Sequence, residues 1–181
     1  MCQFIAFMFD PKTAEIKVHD LQSHSGTESA LKLDKSVWRE GHWTPNNELV
    51  LRTQLGDEVL PGIEKYVREL HGDFCGFMKW CLEETKQDEI FTGSLYLSGL
   101  TSLKPGCLPQ SVGGSLDLSG LTSLKPGCLP QSVGGYLYLS GLTSLKPGCL
   151  PQSVGGYLYL SGLKTETKNM IKLERKDLSI I

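Results

Sequence analysis

The sequence has no surplus of basic charge, no long apolar run and few of the patterns that announce catalysis. Across 181 residues, 18 Lys and Arg stand against 20 Asp and Glu, a net charge of −2. A dedicated nucleic-acid binder needs excess cations to meet phosphates, so this balance argues against that class. No stretch stays apolar for the ~18 residues that a membrane helix requires, so no membrane partner is expected. Met1-Cys2-Gln3-Phe4-Ile5 shows no basic segment followed by a long apolar one, and no secretory leader is expected. There is no Gly-rich loop leading into Lys-Ser or Lys-Thr, no Gly-x-Ser-x-Gly and no His-Glu-x-x-His. Of the six cysteines, three are copies of one repeat position. With no leader, the thiols are expected to be reduced and the chain cytoplasmic.

What is present is ordinary in bulk and unusual in order. Hydrophobic residues make up 40% and charged residues 21%, a globular composition rather than a disordered one. The length fits one medium domain or two small ones. Charge is uneven. Residues 1–92 carry ten Lys and Arg against sixteen Asp and Glu (−6), and the remainder eight against four (+4). An acidic head on a mildly basic tail is a domain signal.

The C-terminal half is repetitive. The segment from Ser98 to Gly114, Ser-Gly-Leu-Thr-Ser-Leu-Lys-Pro-Gly-Cys-Leu-Pro-Gln-Ser-Val-Gly-Gly, recurs unchanged from Ser119 and again from Ser140, a period of 21 residues. Each copy follows a variable x-Leu-x-Leu strand, and a fourth such strand is Tyr157-Leu158-Tyr159-Leu160. Side chains alternate along a strand, so Leu95 and Leu97 share one face while Ser94 and Tyr96 take the other. Leu100, Leu103 and Val112 supply further inward positions. Lys104-Pro105-Gly106 turns the chain, Pro109 blocks a long helix, and Gly113-Gly114 resets the strand. One coil cannot bury its leucines alone, whereas stacked coils bury them against each other in a parallel ladder.

The Leu-x-Leu strands, each followed by Leu-Thr-Ser-Leu at 100–103, 121–124 and 142–145, resemble bacterial leucine-rich repeats. The resemblance spans about residues 93–163 and implies a short parallel β-solenoid rather than a particular function. The asparagine that usually follows the strand is absent, and Ser98-Gly99 stands near its place. A less regular curved β-solenoid is the alternative. Leu178-Ser179-Ile180 falls within one residue of the place for a fifth strand, and Met170, Ile171 and Leu173 suit a covering segment. Residues 164–181 are therefore read as a C-terminal cap.

Residues 1–92 read as an acidic α+β domain of two β-hairpins and two to three helices. Gln3–Phe9 and Ala14–Val18 flank the turn Asp10-Pro11-Lys12-Thr13. Val37–Trp43 and Glu48–Thr53 flank Thr44-Pro45-Asn46-Asn47, and a short helix is expected near Thr27–Leu33. Val59, Ile63, Tyr66, Val67 and Leu70 recur at helical spacing up to Gly72. Asp73 then caps a helix lined by Phe74, Phe77, Met78, Cys81 and Leu82.

The sharpest candidate site is the variable strand face: Tyr96, Asp117, Tyr136, Tyr138, Tyr157 and Tyr159, with Ser94 and Ser115. Tyrosine offers a large amphipathic area at low entropic cost and is favoured at interfaces. The competing reading is that stacked tyrosines only stabilise the ladder. Trp38 and Arg39 form a second candidate hot spot. The column Cys107, Cys128 and Cys149 reads as a soft-metal site or as small core residues. The column Lys104, Lys125 and Lys146 reads as a solvated ridge. His19, Asp20, His24, Glu40 and His42 are the residues from which an acid-base or metal site could be assembled.

The first reading is a non-enzymatic protein-binding protein with no cofactor, an adaptor or an inhibitor of a larger protein. Its repeat economy is in the style of phage or mobile-element anti-defence proteins. Binding would run through the tyrosine face, the acidic domain or both. The alternative is a small metal-dependent hydrolase in the N-terminal domain, using His24, Glu40 or His42, with the repeats as a targeting module. Self-association through the solenoid ends or the tyrosine face is a third.

Overall fold

The computed structural model describes residues 5–44, 46–51, 60–146 and 148–181. The expected strand ends at Gln3–Phe4 and Arg52–Thr53, the turn residue Pro45 and the helix position Val59 lie outside the described residues. The chain divides into two compact units, Met1–Thr85 and Lys86–Ile181. It mixes an antiparallel hairpin sheet and helices in the first unit with parallel sheets of short strands in the second.

In the first unit, β1 (Ile5–Phe9), β2 (Ile16–Lys17), β3 (Arg39–Trp43) and β4 (Leu49–Leu51) form an antiparallel sheet in the order β2-β1-β3-β4. The run Ile-Ala-Phe-Met-Phe of β1 is buried at every position, as suits a central strand covered on both faces. Helix α1 (His24–Leu31) starts three residues before the expected position. The Ser23 side chain caps it by accepting from the Gly26 backbone N–H, and this cap sets the start. Helices α2 (Leu60–His71) and α3 (Phe74–Glu84) follow. Asp73 caps α3 as its spacing implies, and Phe74, Phe77, Met78, Cys81 and Leu82 are buried. The inward face expected for α2 is only half realised: Ile63 and Val67 are buried, whereas Tyr66 and Leu70 are exposed.

Aromatic contacts dominate this core. Phe77 meets Phe7 edge-on at 5.1 Å between centroids and Trp43 also at 5.1 Å. Asn47, in the left-handed region at φ 64°, ties the β3–β4 turn to α3. Its Oδ1 accepts from Trp43 Nε1 at 2.9 Å and from the Phe74 N–H at 3.1 Å. A short polar side chain tolerates that backbone region, and here it also satisfies an orphan donor at a helix start.

In the second unit the repeats stack. Strands β6 (Leu95–Tyr96), β8 (Leu116–Asp117), β10 (Leu137–Tyr138), β12 (Tyr157–Tyr159) and β13 (Ser179–Ile180) form a parallel sheet in the order β13-β12-β10-β8-β6. Leu95, Leu116, Leu137 and Leu158 lie side by side in it. A second parallel sheet holds β5 (Ile90–Phe91), β7 (Ser111–Val112), β9 (Ser132–Val133) and β11 (Ser153–Val154), in the order β11-β9-β7-β5. The Ser-Val-Gly-Gly segment is thus a strand in its own right. Because Ile90–Phe91 already pairs with β7, the stack begins ahead of Gly93.

Between the sheets lies a core dominated by leucine, with Val112, Val133 and the column of Cys107, Cys128 and Cys149 also buried. Leu95, Leu116, Leu137 and Leu158 are fully buried, and the following leucines Leu100, Leu121 and Leu142 are at most 4% exposed. Burying one leucine fully is worth about 1.5–3 kcal/mol. Glycine permits the close stacking: a Cβ on Gly134 would stand 2.1 Å from the Gly113 carbonyl oxygen of the coil before. The turn glycines Gly106, Gly127 and Gly148 take φ of 77–78°, which a side chain would strain.

The last coil departs from the others. Helix α4 (Thr165–Glu174) replaces the copied segment, and β13 pairs one residue out of period, with Tyr157 opposite Ser179 and Leu158 opposite Ile180. Leu178 and Ile180 are buried, whereas Met170 and Leu173 are exposed. Met170 and Ile171 help line a cleft of about 260 Å³ with Leu145, Leu150 and Arg175. Arg175 closes the open edge of the second sheet: Nη1 donates to the Pro151 carbonyl and Nη2 to the Gln152 carbonyl, both at 2.9 Å. In earlier coils the matching carbonyls of Gln110 and Gln131 accept from the next coil's backbone, at Gln131 and Gln152. The guanidinium therefore stands in for the backbone of an absent coil.

Candidate interaction face

Backbone alternation along β6, β8, β10 and β12 sends leucines inward and the variable residues outward. One sheet face therefore gathers Ser94 and Tyr96, Ser115 and Asp117, Tyr136 and Tyr138, and Tyr157 and Tyr159. Five of the chain's six tyrosines are here.

The two halves of this face are held differently. In the first coils, serine hydroxyls bridge between strands: Ser94 Oγ accepts from the Ser115 N–H at 2.9 Å, and Ser115 Oγ from the Tyr136 N–H at 3.0 Å. In the later coils rings do this work. Tyr138 and Tyr159 stack at 4.7 Å with planes 11° apart, and Tyr136 and Tyr157 lie parallel at 6.2 Å. Tyr136 and Tyr157 stay 43% and 47% exposed, while Tyr96, Tyr138 and Tyr159 are half-buried. Burial raises the Tyr138 phenol above its ordinary value, helped by Tyr159, Tyr136, Asp117 and Tyr96 around it. Asp117 Oδ1 accepts from the Ser119 N–H at 3.0 Å.

Trp38 and Arg39 belong to the N-terminal unit and form a pair of their own. Arg39 Nη1 donates to the carbonyls of Lys35 (2.8 Å) and Trp38 (3.0 Å), and Nη2 to that of Ser36 (3.2 Å). The Lys17 ammonium lies 4.4 Å from the centroid of a Trp38 ring. The guanidinium gathers its own loop, and the indole faces a cation of its own domain.

The acid-base residues are spread over several elements. His24 opens α1, His19 is exposed ahead of it, and on β3 Glu40 is exposed while His42 is buried. Among the described residues, no group of three or more His, Cys, Asp or Glu is placed to hold a metal ion. In the cysteine column, Cys128 Sγ donates to the Leu103 carbonyl at 3.3 Å and Cys149 Sγ to that of Leu124 at 3.7 Å. These thiols act as small core donors that reach into the preceding coil. Cys81, Cys128 and Cys149 are free thiols. Lys104, Lys125 and Lys146 are exposed.

Two features were missed in the sequence. The serine bridges carry no signal beyond a recurring small polar residue. The Arg175 closure could have been suspected, since Arg175 falls close to one period beyond Gln152. Among the described residues, no helix is long and apolar enough to cross a membrane. No protein-family model matches the chain, and neither does a curated protein or a solved structure.

Proposed function

We propose that this is a non-catalytic binding protein whose repeats form a short solenoid of leucine-rich type. Its outer sheet presents Tyr96, Asp117, Tyr136, Tyr138, Tyr157 and Tyr159 to a protein partner. The observation that carries the reading is the collection of five of six tyrosines on one sheet face while the copied body of each repeat stays unchanged. Ladder stability alone would be served by serine bridges, which already do this in the first coils. Exchanging them for half-exposed rings adds the amphipathic area on which interface hot spots depend. A small rigid face of this kind suits an adaptor, or an inhibitor that occludes a larger protein.

The test is affinity capture from a native lysate with the wild type and with Tyr138→Ala/Tyr159→Ala, followed by reconstitution from purified components. The variant's fold is checked by circular dichroism and thermal unfolding. The expected result is a stoichiometric partner that binds the wild type and is lost from the folded variant. A partner held equally by both would move the site off this face.

A further inference from the structure

Asp117 is the one charged residue among the outward strand positions of the tyrosine face; the others hold serine or tyrosine, and none holds Lys or Arg. The parallel register places it opposite Tyr96 on one side and Tyr138 on the other. Neighbouring strands are ~4.8 Å apart, so a phenol ring flanks the carboxylate on each side. Among the described residues Asp117 makes no ion pair; its contact is the Ser119 N–H, taken by Oδ1. Ring faces are electron-rich, and a carboxylate between them adds to the same negative potential. The arrangement therefore concentrates negative potential on an exposed sheet face without a counter-cation of its own.

A guanidinium answers this chemistry better than an ammonium. It is planar, stacks on aromatic faces and pairs with carboxylates through a fork of donors. We propose that Asp117, with Tyr96 and Tyr138 on either side, is the point at which this face receives an arginine side chain of the partner protein. The proposal rests on the face being the binding surface and adds the chemistry of what it binds.

The test uses the full chain with tyrosine rings labelled for NMR, titrated with N-acetyl-arginine amide and, separately, with the neutral analogue N-acetyl-citrulline amide. Tyr66, in the other unit, is the internal control. The expected result is a saturable shift of the Tyr96 and Tyr138 signals with the arginine probe, weaker with citrulline and reduced by added salt. Asp117→Asn keeps an oxygen for the Ser119 N–H and so retains the fold. It should weaken the arginine probe about two- to fivefold, the range of an exposed ion pair. Equal shifts with both probes, equal affinity in Asp117→Asn, or shifts that extend equally to Tyr66 would overturn the proposal. The captured partner separates the two claims: its loss from Tyr138→Ala/Tyr159→Ala but full retention by Asp117→Asn leaves the face standing and removes the arginine. Retention by both variants removes both.

Discussion

The two units bury apolar surface in opposite ways. The N-terminal unit brings together residues far apart in sequence, with Phe7, Trp43 and Phe77 in one aromatic cluster. The repeat unit uses one small solution several times, with the strand leucines Leu95, Leu116, Leu137 and Leu158 each lying beside a copy 21 residues away. The first is cooperative through diverse side chains. The second is cooperative through backbone ladders and nearest-neighbour coils, as in other repeat architectures. A variable outer face is therefore cheap in the repeat unit, because changing an outward residue leaves the inner ladder intact.

The largest effects should come from its two cores. Phe77→Ala, at a fully buried ring, should cost the N-terminal unit about 3–5 kcal/mol. Leu137→Ala, at a fully buried leucine, should cost the repeat unit about 2–5 kcal/mol. Denaturant unfolding followed by tryptophan fluorescence for the first unit and hydrogen exchange for the second should show each loss in its own unit. A shared loss would break the comparison. Next comes Gly134→Ala, whose Cβ would meet the Gly113 carbonyl at 2.1 Å; forcing the coils apart should cost about 1–3 kcal/mol, read by the same exchange experiment.

Arg175→Ala should be milder for stability, about 1–2 kcal/mol for the lost hydrogen bonds, but should uncover the open edge of the second sheet. Unpaired edges template association, so light scattering should show concentration-dependent association in the variant that the wild type lacks. A variant that stays as monodisperse as the wild type would show that Arg175 does not guard the edge.

The smallest differences lie in pH. Burial lowers the His71 imidazole below its ordinary 6.5. The unfolded chain then binds the proton more readily, so this part of the N-terminal unit's stability is present above pH 6.5 and lost as pH falls through the lower folded value. In the repeat unit, the hydrogen bond from Arg175 lowers Asp177 below its ordinary 3.8. Its contribution is present above that value and is lost only in stronger acid. On mild acidification the N-terminal unit should therefore weaken first, and unit-resolved hydrogen exchange between pH 7 and pH 4 checks the order.

The period of 21 residues, the inward leucines, the outward tyrosines and the Asp73 cap were all legible in the sequence, because each rests on local alternation or on exact copying. The second parallel sheet was not, since Ser-Val-Gly-Gly is too short to declare itself a strand and becomes one only when copies lie beside it. Tyr66 and Leu70 fit a helical stripe as well as Ile63 and Val67 do, yet only the latter pair is buried. Helical spacing gives a face but not how much of it finds a neighbour. The hydrogen bonds of Arg39 Nη1 and Nη2 to the carbonyls of Lys35, Ser36 and Trp38 were likewise not legible, because they depend on how the local loop folds back.

What the sequence by itself determined is therefore the repeat, its two faces and the residues on each, because strand alternation and stacking of identical coils leave few other ways to bury the leucines. What only the tertiary structure decided is how the stack ends. The slip of one residue at β13 and the guanidinium in place of a missing coil arise from contacts between segments that the period of 21 does not link.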